Sequence, residues 1–133
     1  MKRKTSNDLR TIRSFGHEKL DVFKISRQLV IDLYRETARL PSEEKFGLVS
    51  QIRRSAISIP ANISEGAARR SKKEFTRFLL TARGSSTELR LLLDIAHATG
   101  LLADEAYLAH DGTLNRIFSM LNGLIRHSDT RAT

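Results

Sequence analysis

Cysteine is absent from the chain, and this one absence removes disulfides, thiol nucleophiles and thiolate metal sites together. Tryptophan is also missing and there are only 2 tyrosines. With the phenylalanines needed for a core, little is left to build an aromatic platform of the kind on which single-strand binders stack bases. Only 2 prolines and 7 glycines occur in 133 residues, and no stretch is low in complexity. No apolar run approaches the roughly 20 residues of a membrane-spanning helix, and the start MKRKTSNDLRTIRSF has no apolar h-region of a secretory signal. No P-loop, G-x-G-x-x-G or G-x-S-x-G motif is present. Gly84-Ser85-Ser86 falls within a helical pattern, away from any strand-to-helix elbow that would make a serine nucleophilic. These exclusions lead to an expectation of a cytoplasmic, non-enzymatic protein with no cofactor, no metal and no small-molecule substrate.

What the chain does have is positive charge. Lys and Arg number 23 against 15 Asp and Glu, a net charge of +8 and a pI near 10.4. Such an excess favours polyanionic partners, because cations placed on phosphates release condensed counterions. Good helix formers dominate, and the length suits one domain.

Residues 1–16 carry Lys2, Arg3, Lys4, Arg10 and Arg13 against Asp8, with no sustained apolar period. They share the Arg-rich, acid-poor composition of a transit peptide but read as a flexible basic arm. From His17 onward the apolar positions follow helical spacing, and four helices are expected over residues 17–127, with 128–133 as a disordered tail. The first helix carries the stripe Leu20, Phe23, Arg27, Val30, Tyr34 and Thr37, widened by Ile25, Leu29 and Leu33, and ends near Arg39 before Leu40-Pro41. Ser42 offers an N-cap for the second, with Glu43 and Glu44 suited to its positive end. That helix buries Phe46, Val49, Ile52, Ala56, Ile59, Ile63 and Ala67. Pro60 lies inside it and predicts a kink, or a restart capped at Asn62; the unbroken apolar phase favours one kinked helix.

Ser71-Lys72-Lys73-Glu74 is a capping box that opens the third helix. Its core face reads Phe75, Phe78, Leu79, Ala82, Ser86, Leu89, Leu92, Leu93 and Ala96, and Gly100-Leu101 fits a C-terminal glycine cap. Asp104 opens the fourth, with Leu108, Leu114, Phe118, Leu121, Leu124 and Ile125 inward. Short connections force antiparallel neighbours, so the fold class is all-α, an up-and-down four-helix bundle.

The hairpin of helices 2 and 3 turns near Arg70 and Ser71, so residues whose numbers add to about 141 should lie level. This register sets Ser55 opposite Ser86, pairs Arg53 with Glu88, and makes Gly84 the point of close helix approach. Gln51, Ser55, Ser58, Asn62, Glu65 and Arg69 run beside this seam at helical spacing. Polar groups there need partners, so the seam reads either as a hydrogen-bonded register device or as a contact groove.

The segment from Gln51 to Gly66, QIRRSAISIPANISEG, with Ala82-Arg83-Gly84-Ser85-Ser86-Thr87-Glu88-Leu89, resembles the 23S rRNA-intervening-sequence proteins, small bacterial four-helix bundles. The resemblance extends from about Leu20 to Ile125, departs at Ser64, where alanine is usual, and does not include the basic arm. It implies a bundle with a kinked second helix and a ring-like homo-oligomer, a pentamer, but no established activity. Related bundles serve as accessory proteins of reverse transcriptases, where a basic oligomer contacts nucleic acid. The family-motif seam is Gln51, Arg53, Ser55, Ser58, Pro60, Asn62, Glu65, Gly66, Gly84, Ser85 and Glu88.

Two other groups of residues could carry chemistry. Asp94-Ile95-Ala96-His97 is the nearest approach to a metal motif, but di-iron bundles need two Glu-x-x-His helices and two more inward glutamates. His110 is expected to approach Asp94 across the helix 3–4 hairpin. The densest charge outside the arm is Arg69-Arg70-Ser71-Lys72-Lys73. With Arg54, its cations are the nucleic-acid-binding candidates: Arg54, Arg69, Arg70, Lys72 and Lys73. RNA is the expected partner, held by its backbone in a salt-sensitive way. The alternative is a protein–protein interaction scaffold with no nucleic-acid role.

Overall fold

A computed structural model describes residues 17–44 and 47–132; the basic arm, Phe46 and Thr133 lie outside them. Among the described residues there are four long helices and no strand: α1 His17–Thr37, α2 Leu48–Ala67, α3 Lys72–Ala98 and α4 Asp104–Ala132, with a single 3-10 turn at Ser42–Glu44. Each helix packs on two neighbours, α1 on α2 and α4, and α3 on α2 and α4, with the α2–α3 contact the most extensive. This is the antiparallel four-helix bundle.

The start of α2 differs from the sequence reading. Ser42, Glu43 and Glu44 form their own 3-10 turn, and α2 starts only after Gly47, which caps it with no side-chain hydrogen bond. Gly47 sits at φ −107°, ψ −104°, so the chain leaves helical geometry between the two. Pro60 lies within α2 without interrupting it. No restart occurs at Asn62, whose amide donates back to the Ser58 carbonyl at 2.8 Å.

The two ends of α3 are built as read. The Ser71 hydroxyl accepts the Glu74 N–H at 3.0 Å. At the other end Gly100 takes φ +81°, Leu101 N–H reaches Ala96 O and Gly100 N–H reaches His97 O, the paired bonds of a Schellman cap.

The core is a continuous apolar column from all four helices, but two inward faces differ from expectation. In α1 the buried residues are Val22, Ser26, Leu29, Leu33 and Thr37, while Arg27 and Tyr34 are exposed. A lone Arg cannot be buried unpaired. Ser26 and Thr37 can face inward because their hydroxyls donate to Phe23 O and Leu33 O within their own helix. In α4 the buried series is His110, Leu114, Ile117, Leu121, Leu124, Ile125 and Ser128, whereas Leu108 is 66% and Phe118 37% exposed. The series repeats at fours and threes, as a bundle seam requires, and Leu108 and Phe118 fall out of its phase. α4 also runs on to Ala132, through the stretch read as a tail, because Ser128 is buried against α3.

Candidate functional site

The two sequence blocks of the seam come together as the α2–α3 hairpin. Ser58 and Ser85 hydroxyls meet at 2.7 Å, and Asn62 donates to the Ser58 hydroxyl at 3.0 Å. Ser55 and Ser86 are buried and satisfied within their own helices, Ser55 by Gln51 O at 3.0 Å and Ser86 by Arg83 O at 2.8 Å. Among the described residues no buried side-chain polar atom lacks a partner. The seam therefore already closes its own hydrogen bonds.

Two expected contacts are replaced. Arg53 does not meet Glu88; it turns the other way and ties α2 to α1. Its Nε donates to Thr37 Oγ1 at 2.9 Å, a terminal nitrogen donates to Tyr34 O at 3.2 Å, and the guanidinium lies 4.4 Å from the Tyr34 ring centre. Glu88 is paired by Arg54, one residue on, at 3.8 Å with both side chains largely in solvent. The register is thus one to two residues off the expected sum, since Ser58–Ser85 and Arg54–Glu88 share it. Second, the close approach is at Gly66, not Gly84. A Cβ at Gly66 would stand 2.6 Å from Phe78 Cβ, whereas nothing lies within 4 Å of one at Gly84.

The histidines also find other partners. His110 is buried and its Nε2 lies 2.6 Å from Glu36 Oε1 on α1, not against Asp94. His97 stacks on Tyr107 with ring centres 4.3 Å apart and contacts Asp104 at 2.6 Å. Each His–carboxylate contact joins two elements, and no group of three or more metal-ligating side chains is found among the described residues. Two surface clefts, of about 250 Å³ at Ser86, Arg90 and Phe118 and about 420 Å³ at Asp21, Ser119 and His127, lie between helices.

The basic residues gather at one end. The antiparallel topology brings the α2–α3 turn, the start of α1 and the end of α4 to the same pole. Arg69, Arg70, Lys72 and Lys73 are all exposed there. Arg69 lies over the Phe78 ring at 4.9 Å while bonding Glu65 at 3.1 Å, and Lys19 of α1 lies over Phe75 at 4.8 Å. Among the described residues Arg70, Lys72 and Lys73 have no ion-pair partner. Lys24, Arg27, Arg77 and Arg126 add to this half, against Asp21, Glu65 and Glu74. The opposite half holds Glu36, Glu43, Glu88, Asp94, Asp104, Glu105 and Asp111, roughly balancing Arg35, Arg39, Arg53, Arg54, Arg90 and Arg116. Arg54 therefore lies away from the basic pole, paired with Glu88.

What sequence reasoning missed is a second polar bridge at this pole. Thr76 donates to Ser128 at 2.7 Å, and Ser128 donates to Lys72 O at 3.1 Å. Both hydroxyls occupy inward heptad positions, and that phase was the available signal.

No curated protein matches the chain. A crystal structure of a protein of unknown function from the S23 ribosomal protein family of Bacteroides thetaiotaomicron VPI-5482 is similar at a TM-score of 0.77 and 25% identity, over 82% of this chain and 98% of that one. The family described as 23S rRNA-intervening sequence protein matches residues 18–123, α1 through most of α4. With the hairpin motif, the bundle and this match in agreement, the chain belongs to the 23S rRNA-intervening sequence protein family.

Proposed function

We propose that this chain is a non-enzymatic, cytoplasmic, self-associating accessory protein that binds RNA through its basic pole. The observation that carries the reading is the concentration of unpaired cations at the α2–α3 turn, set on a rigid helix end rather than spread over the surface. A rigid cluster presents its charges without the ordering cost of a flexible segment. No described helix is long and apolar enough to cross a membrane. In the ring-like pentamer that the family resemblance suggests, the pole would repeat around one rim and multiply a weak contact. Binding of this kind reads phosphate geometry, so it depends steeply on salt and little on base sequence.

The test is fluorescence anisotropy with a structured RNA at low and physiological salt. Binding that weakens steeply with salt, and that is lost when Arg70, Lys72 and Lys73 are changed to Glu, supports the proposal. Absence of binding at low salt refutes it. A second reading, a protein-interaction scaffold with no nucleic-acid role, draws on the exposed Leu80, Leu91 and Ile95 of α3. It expects assembly that survives high salt and is indifferent to those three reversals.

A further inference from the structure

α3 carries a second apolar face, turned away from the bundle. Leu80 is 41%, Leu91 58% and Ile95 40% exposed, and Gly84 and Thr87 lie exposed between them. Leu80, Gly84, Thr87 and Leu91 follow the 4-3-4 spacing of a helix-pairing seam. Gly84 has no function inside the chain: a Cβ there would meet nothing within 4 Å. A mid-helix glycine nonetheless costs about 1 kcal/mol against alanine, so its compensation is to be sought outside the molecule, in a backbone that approaches from solvent.

The sequence of the stripe identifies that backbone. About a midpoint between Ser85 and Ser86 the stripe is complementary to its own reverse: Leu80 falls level with Leu91, Gly84 with Thr87, and Arg77 with Asp94. Neither Arg77 nor Asp94 has an ion-pair partner among the described residues. The flanking charges are already engaged: Arg83 donates to Asn122, Arg90 to Asn115, and Glu88 pairs with Arg54. An antiparallel copy also places each basic pole beside the other's acidic end, at Asp94, Asp104 and Glu105, whereas a parallel copy would bring the two poles together.

We propose that the outer face of α3 is a two-fold self-association surface, on which α3 of a second copy lies antiparallel. Leu80 packs on Leu91 of the other copy at both ends of a Gly84–Thr87 crossing, and an Arg77–Asp94 pair closes each end of a contact about 26 Å long at 1.5 Å per residue. Such a contact is isologous, so the assembly contains an even number of chains, either a dimer or two rings joined back to back. One helix pair is smaller than a standard stable interface, so the association is weak and concentration-dependent.

The test is sedimentation equilibrium of the full chain without nucleic acid, so that its failure leaves the basic-pole reading untouched. The wild type is expected to reach an even number of chains as concentration rises through the micromolar range. Leu91→Glu and Gly84→Leu should each weaken association at least about tenfold, with circular dichroism unchanged. Arg77→Asp and Asp94→Arg should each weaken it, and the doubly exchanged chain should regain it. A monomer at all concentrations or a lone pentamer would overturn the proposal, as would indifference to Leu91→Glu or a double exchange no better than the single ones.

Discussion

A methyl group added at Gly66 would press on Phe78 Cβ at 2.6 Å and on the Phe75 ring at 3.0 Å, while one added at Gly84 would meet nothing within 4 Å. The two glycines therefore respond in opposite directions to the same substitution. Gly66→Ala is expected to lower stability by about 1–3 kcal/mol, since overpacking outweighs the gain in helix propensity. Gly84→Ala should raise it by about 0.5–1 kcal/mol; urea unfolding of both variants, at a concentration where the chain is monomeric, reads the contrast. Arg53 and Glu88 separate in the same way. Arg53→Ala removes two hydrogen bonds and a ring contact between α1 and α2, and a loss of about 1–2 kcal/mol is expected. Glu88→Ala removes only a solvent-exposed pair at 3.8 Å, and its unfolding midpoint should stay within about 0.5 kcal/mol of wild type. The sequence named Arg53 and Glu88 as partners because their numbers fit the hairpin register. It could not show that Thr37 and the Tyr34 carbonyl offer Arg53 a better-shaped site on the other side.

At the scale of the element, the helices were legible and their exact inward faces were less so. Ser71 with Glu74 and Gly100 with Leu101 determine the ends of α3 through local hydrogen bonds, and local rules read local bonds. The inward faces of α1 and α4 include Ser26, Thr37, His110 and Ser128. Hydrophobicity alone assigned those positions to the surface, although their phase was right. α4 makes the point measurable. Its last buried residue, Ser128, bridges to Lys72 O and Thr76. Removing residues 128–133 should therefore cost about 1–2 kcal/mol, where a disordered tail would cost nothing; thermal unfolding of the truncated chain distinguishes the two.

At the scale of the molecule, the net charge of +8 is not evenly distributed. Antiparallel packing collects Lys19, Arg69, Arg70, Lys72 and Lys73 at one pole and leaves Asp94, Asp104 and Glu105 at the other. If the pole meets a phosphate backbone, reversing Arg70, Lys72 and Lys73 should flatten the salt dependence of RNA binding by roughly one log unit per lost contact. Reversal of Arg54, which sits with Glu88 far from that pole, should change it little.

The amino-acid sequence alone determined the helical class, the four-helix count, the caps of α3, the family and the sign of the charge, because each depends on composition or on residues a turn or two apart. Only the tertiary structure decided which partner Arg53, His97 and His110 take, that Gly66 rather than Gly84 is the close approach, and where the positive charge lies. These depend on the rotation of each helix about its axis, and many packed side chains fix that rotation jointly. It also decided that α3 has two apolar faces. In the sequence Leu80, Leu91 and Ile95 are indistinguishable from core, and only the placement of α2 and α4 leaves them in solvent.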